Sequence, residues 1–177
     1  LAIKIQEIKQ MEKILRFHIF IVLLLLFSCK GTFYIVRHGE RLNNSDNTPL
    51  SDNGFLRAIA LADSLQNKGI DSIFVSTKLR SQQTARPLSD RIHEPMVIYQ
   101  ADTLMAFVNR VSKLKKNVLI VSHSEQIPTV IQILSGQIVP AVPFDDFDNF
   151  YKVTIKYNIN GMISRTLLIT RYGAVSP

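Results

Sequence analysis

Four short apolar runs rich in β-branched and aromatic residues punctuate the chain. They are Phe33-Tyr34-Ile35-Val36, Ile73-Phe74-Val75, Met96-Val97-Ile98-Tyr99 and Val118-Leu119-Ile120-Val121. Continuous apolar runs of this length read as buried strands of a parallel sheet. The segments between them carry apolar residues at helical spacing. One helix opens at Pro49–Gly54, where Ser51 or Asp52 can cap it, and ends at Lys68-Gly69. A second runs from Ser76 past Arg91, a third from Asp102 to Lys116, and a fourth over 128–134, closing at Gly136. Near the end, Tyr151–Tyr157 and Ile163–Tyr172 alternate around Asn158–Gly161, the pattern of a hairpin that completes the sheet. The alternation of strands and helices predicts one α/β domain, and 177 residues leave room for little else.

Two of the strands stop at chemistry-bearing residues. The first delivers Arg37-His38-Gly39-Glu40, and the fourth delivers Ser122-His123. The residues beyond a strand's carboxyl end are where open α/β sheets bind ligands. The second strand leads into Ser76-Thr77-Lys78-Leu79-Arg80, which puts Arg80 on the first turn of a helix, where exposed N–H groups and a guanidinium favour an anion. Arg57 and Arg91 read as helix-surface residues, His93 as a loop residue without a role, and Asp145, Asp146 and Asp148 as a solvated loop.

The beginning of the chain is different in kind. From Met11, a short basic stretch with Lys13 and Arg16 precedes the apolar run Ile19–Phe27, then Ser28 and Cys29. This is a secretory signal pattern, short for a spanning helix. Residues 1–10 are expected to be translated upstream sequence, 11–28 a signal peptide and 30–177 the folded domain. Cys29 is the single cysteine, so it has no internal disulfide partner. Leu26-Phe27-Ser28-Cys29 resembles a bacterial lipobox, which implies lipidation of Cys29, although Phe27 departs from the small or branched residue usual there. The expectation is an exported protein of a bacterial cell envelope, held at a membrane by a lipidated Cys29 or by an uncleaved leader. A net charge of +7 fits either a mildly basic surface or attraction to anionic substrates and head groups. No basic block with interleaved aromatics points to nucleic acid.

Several of these stretches together resemble the histidine phosphatase, or phosphoglycerate mutase-like, superfamily. They are Arg37-His38-Gly39, Pro49-Leu50-Ser51 with Gly54, Ser76 through Arg80 to Gln83-Thr84-Ala85, and Val121-Ser122-His123-Ser124 with Ile127-Pro128. The resemblance covers nearly all of residues 32–172. It implies a three-layer α/β/α sandwich with a mostly parallel central sheet. It also implies a phosphomonoester hydrolase that needs no metal or other cofactor and forms a phosphohistidine on His38. Arg37, Arg80 and His123 would hold the phosphoryl group, and Gly39, Asn44 and Ser124 would contribute to binding substrate.

A proton for the leaving group has two candidate sources, Glu125, two residues after His123, and Asp102, between Arg80 and His123; each has an equally plain explanation as a helix cap or a first-turn charge. Glu40 is expected to shape the loop after His38. The substrate would be a phosphorylated small molecule, a phosphoprotein or a phosphohistidine protein. A mutase fits less well, because the chain is short. Two other readings stand beside the hydrolase. One is a phosphate-binding lipoprotein without turnover. The other uses His38 and His123 as metal ligands, for which no clear third ligand presents itself.

Overall fold

In the computed structural model, which describes residues 10–11, 13–17, 29–158 and 161–176, the strands form one six-stranded sheet. Its elements in chain order are β1 (Cys29–Arg37), α1 (Asp52–Leu65), β2 (Ser72–Ser76), α2 (Leu79–Ile92), β3 (Met96–Tyr99), a 3₁₀ turn (Ala101–Thr103), α3 (Leu104–Val111), β4 (Asn117–Ser122), α4 (Ile127–Ser135), β5 (Asn149–Asn158) and β6 (Gly161–Arg171). The strand order is β3-β2-β4-β1-β5-β6. The first four strands in that order pair in parallel, and β5 and β6 join antiparallel, so the sheet is mixed and mostly parallel.

β1 shows why the layers are three. Phe33 and Ile35 point into a core made with Phe107, Val108 and Val111 of α3 and Ile127, Val130 and Ile131 of α4. Tyr34 and Val36 point into a second core with Leu61, Ala62 and Leu65 of α1 and Ala85 and Leu88 of α2. Side chains alternate across a strand, so a run apolar at every position must be covered on both faces. Along β5, by contrast, Tyr151, Val153 and Ile155 are buried while Lys152 and Thr154 are partly open. Among the described residues, one face of that part of the sheet carries a helix layer.

The structure corrects three expectations. The third helix was expected to reach Lys116 but ends at Val111, because the chain must reverse there. Leu114 N–H donates to Val111 O, and Lys116 O already accepts from Thr32 N–H beside β4. Arg57 is buried rather than on the surface (3% exposed), since it shares the inward stripe of α1 with Gly54, Ala58 and Leu61. Its Nε donates to both carboxylate oxygens of Glu40 at 3.0 and 2.9 Å, and its Nη1 donates to Tyr172 O and Ala174 O. The 145–148 segment is not a solvated loop throughout. Asp148 is buried, pairs with Arg171 and accepts from Ser176 N–H at 3.0 Å, and Asp146 lies 3.6 Å from Arg171. Asp145 is exposed, as expected.

β1 begins at Cys29, about three residues earlier than the apolar run indicates, because Cys29 and Lys30 pair with Tyr157 and Lys156. Cys29 is exposed. The apolar run Ile19–Phe27 and Ser28 lie outside the described residues. Among the described residues no helix is long and apolar enough to cross a membrane.

The start of α1 sits against the end of β1 through two glycines. A Cβ on Gly39 would lie 2.8 Å from Gly54 O, and one on Gly54 would lie 2.3 Å from Glu40 O. Both obstacles are backbone, so neither can swing aside. Gly54→Ala should therefore destabilise the protein by about 1–3 kcal/mol, read as a lower urea midpoint with an unchanged slope.

Candidate active site

The parallel register of β1 and β4 sets the site. Arg37 lies opposite Ser122, and His38 N–H donates to Ser122 O at 3.0 Å, so the two strands end level. His38 and His123 then emerge side by side, with ring centroids 5.1 Å apart. β2 is the next strand beyond β4, so α2 starts beside them and brings Arg80.

The hydrogen bonds fix the tautomer of His38. Its Nδ1 lies 2.8 Å from Gly39 O, an acceptor only, so Nδ1 carries the proton. Nε2 is left with its lone pair, and Arg80 Nε–H donates to it at 3.0 Å. His38 is 3% exposed, and its pKa falls to about 2. Burial is the main cause; the Gly39 carbonyl opposes it, and His123, Arg80 and Arg37 push the same way as burial. His123 falls to about 4, again chiefly through burial and then through Arg80, while Glu125 opposes the shift. The site therefore presents two neutral imidazoles among cations.

Arg37 is held from the other side of the molecule. Its Nη1 donates to the carbonyls of Pro143, Phe144 and Asp146 at 2.9, 2.7 and 3.1 Å, and its guanidinium lies 4.0 Å from the Phe147 ring centroid. Burial and Arg41 bring its pKa down to about 10, so it stays charged at neutral pH. Arg80, besides its bond to His38, donates through Nη1 to Asp46 O at 2.7 Å.

Arg37, His38, Arg80 and His123 thus converge, with Gly39 behind them. Glu125 is exposed, yet its charge acts on Arg37, Arg80 and His123, which places it at the mouth. Asp102 is exposed in the 3₁₀ turn after β3, the edge strand. Ser124 donates to Glu125 Oε2 at 3.2 Å, and exposed Asn44 accepts from Arg41 Nη2 at 3.2 Å. Among the described residues, no group of three or more His, Cys, Asp or Glu is placed to hold a metal ion.

The sequence reading missed the supports of this cluster. Ser76 Oγ lies 2.8 Å from His123 Nε2. Thr84 Oγ1 accepts from Gly39 N–H at 2.9 Å and donates to Arg80 O at 2.7 Å, tying the loop after His38 to the helix of Arg80. Gln83 Oε1 accepts from Leu50 N–H at 2.8 Å. Thr84 and Gln83 stand in the Gln83-Thr84-Ala85 stretch already noticed, but their partners are 45 and 33 residues away. Asp46 is a further carboxylate near Arg80, but it pairs with Lys78 at 2.6 Å, which holds its carboxyl below the usual range.

Residues 33–102 match the family model described as histidine phosphatase superfamily (branch 1). That segment is similar to the superfamily, and the match spans less than half of the chain. The matched segment contains His38 and Arg80, whereas His123 lies beyond it and is joined to the cluster by the fold. No curated protein sequence matches the chain. Among solved structures, the chain is similar to the protein histidine phosphatase SixA complexed with tungstate, with 20% identity and a TM-score of 0.59, covering 79% of this chain and 96% of that one. It is also similar to a mycobacterial glucosyl-3-phosphoglycerate phosphatase, with 15% identity and a TM-score of 0.63, covering 81% and 100%. At these identities the likeness is one of fold, a three-layer α/β/α sandwich.

The depressed histidines make stability depend on pH. Below pH 6.5 the unfolded chain takes up protons that folded His38 and His123 refuse, so stability falls as pH falls. Each histidine contributes about 1.4 kcal/mol per pH unit once the pH is well below its unfolded value. For His123 the loss ends near pH 4, and for His38 it continues lower. Urea midpoints measured from pH 7.5 to 5 should decline, and His123→Asn should flatten the decline.

Proposed function

We propose that the protein is a phosphomonoester hydrolase that transfers the phosphoryl group to His38 Nε2. The observation that carries this reading is the fixed tautomer. Nδ1–H is committed to Gly39 O, and the Nε2 lone pair faces the guanidinium of Arg80. A neutral imidazole with an unprotonated Nε2 among cations is a nucleophile aimed at an anion.

In this reading the phosphoryl oxygens replace His38 as partner of Arg80 and are held by Arg37 and His123. Nε2 attacks phosphorus as the bond to the leaving oxygen breaks, while the guanidiniums balance charge on the equatorial oxygens. Glu125 gives its proton to the leaving oxygen. It then takes a proton from the water that attacks the phosphohistidine, so that inorganic phosphate leaves and His38 is restored. Glu125, two residues after His123, suits this role better than Asp102, which follows the edge strand β3, and better than Asp46, which Lys78 keeps ionised. Activity on phosphohistidine proteins, as the name of SixA states for that protein, is a second substrate class compatible with an exposed Glu125 and an open mouth.

His38→Ala should abolish hydrolysis of p-nitrophenyl phosphate, and acid-quenched wild type should retain labelled phosphate that hydroxylamine removes. Full activity in His38→Ala would refute the nucleophile. Glu125→Gln should lower kcat about 10²-fold or more for alkyl esters and less for p-nitrophenyl phosphate, whose leaving group needs little protonation. Asp102→Asn should stay near wild type.

We further propose that the protein is exported and tethered through Cys29. Exposure of Cys29 at the first position of β1 supports an attachment point beside the sheet's lower edge. Labelled palmitate should be incorporated in a bacterial host and lost in Cys29→Ala. Absence of label, with the leader retained on the mature protein, would favour an uncleaved anchor instead.

A further inference from the structure

The end of the sheet opposite the site is also positively charged. Lys30 follows Cys29 at the start of β1, and its cross-strand partner on β5 is Lys156. Lys113, Lys115 and Lys116 lie in the turn before β4. That turn packs on the start of β1. Leu114 O leaves no room for a Cβ on Gly31, and Thr32 N–H donates to Lys116 O at 2.9 Å. Lys115 Nζ lies 5.5 Å from the ring centroid of Tyr157, the residue paired with Cys29. Lys68, just past α1, accepts through its carbonyl from Asn117 Nδ2 at 2.9 Å. Six lysines therefore surround the point where the chain enters the sheet.

All six side chains are exposed, and among the described residues none is paired with a carboxylate. Asp71, an acid at this end, accepts from Asn117 N–H at 2.8 Å. Lys30 and Lys156 stand directly opposite each other, an arrangement that repels. The fold thus gathers positive charge here without supplying its counter-charge. The sequence brings an apolar segment to the same place, since the run Ile19–Phe27 ends two residues before Cys29. The residue type fits as well. A lysine is a compact point charge suited to a diffuse anionic surface, whereas a guanidinium fork suits one discrete phosphate.

We propose that this lysine rim docks the domain on an anionic lipid bilayer. The proposal rests on the reading of Cys29 as the membrane-proximal end and deepens it. One lipid chain alone binds a membrane only marginally, and a polybasic patch supplies the second attachment. The docked orientation follows from β1. From Lys30 to His38 the strand spans about 25 Å at its rise per residue. The mouth of the site then faces away from the headgroups and takes its substrates from water, not from the bilayer beneath.

The full-length protein is mixed with vesicles of phosphatidylcholine alone, or of three parts phosphatidylcholine to one part phosphatidylglycerol. Lysines are acylated from the aqueous side and read by mass spectrometry. On the anionic vesicles the six rim lysines should lose most of their labelling, whereas Lys78, beside the site, should keep it. Salt at about 1 M, which screens charges beyond a few ångströms, should restore the labelling. Partition should favour the anionic vesicles. The triple variant Lys113→Gln, Lys115→Gln, Lys116→Gln should cut that preference about 10²-fold, at about fivefold per lysine. Arg86→Gln, which removes an exposed charge on α2, should cut it less than Lys116→Gln does. Hydrolysis of p-nitrophenyl phosphate should be equal in bound and free protein. Equal partition into both vesicles with the rim still labelled would overturn the docking, while the palmitate label at Cys29 decides the tether separately. Loss of labelling at Lys78 in place of the rim would overturn the orientation and the docking with it. Tighter binding to duplex DNA than to the anionic vesicles would overturn the bilayer in favour of nucleic acid.

Discussion

The site depends on one backbone constraint, the parallel pairing of β1 with β4 in a register that sets Arg37 opposite Ser122. A slip of one residue would turn Phe33 and Ile35 into the wrong core and move His38 out of level with His123. The register is enforced from both faces, because Phe33–Val36 and Val118–Val121 are apolar at every position and buried on both sides. The hydrogen bond from His38 N–H to Ser122 O is the last rung of that ladder. His38, the proposed nucleophile, is therefore held by the same bonds that hold the sheet.

Around this ladder the protein places cations in a dry pocket and then controls what they face. Burial keeps both imidazoles neutral, and the guanidiniums reinforce this. Arg37 is held through Nη1 by three carbonyls rather than by a carboxylate, so it is positioned without losing its net charge to a partner. Arg80 spends its Nε on the lone pair of His38, an arrangement that an arriving phosphoryl group can replace. Arg57 is the contrasting case. It is equally buried but fully matched by Glu40, and it fastens the chain end at Tyr172 and Ala174 behind the loop that follows His38. One arginine is structural and the other two are left available to an anion.

Sequence patterning alone determined the order of strands and helices, an α/β domain, the terminal hairpin and the strand ends at His38 and His123, while the three-layer sandwich came from the family resemblance. These follow from local periodicity and from where apolar runs stop, and both are properties of consecutive residues. The burial of Arg57 and Asp148 was not legible in the same way. A charged letter in a helix or loop reads as solvent-facing unless its partner is known, and Glu40 and Arg171 come from distant segments. The premature end of α3 was hidden for a like reason, since the reversal is set by the pairing of β4 with β1 and not by helix propensity. The proposed preference for Glu125 over Asp102 rests on strand order. β4 lies beside β1, while β3 lies at the sheet's edge. Only the tertiary structure could supply the tautomer of His38, the carbonyl cradle of Arg37 and the gathering of six lysines around the start of β1. Each joins residues that are far apart in the chain or depends on the orientation of one carbonyl, and neither is written in the spacing of residues.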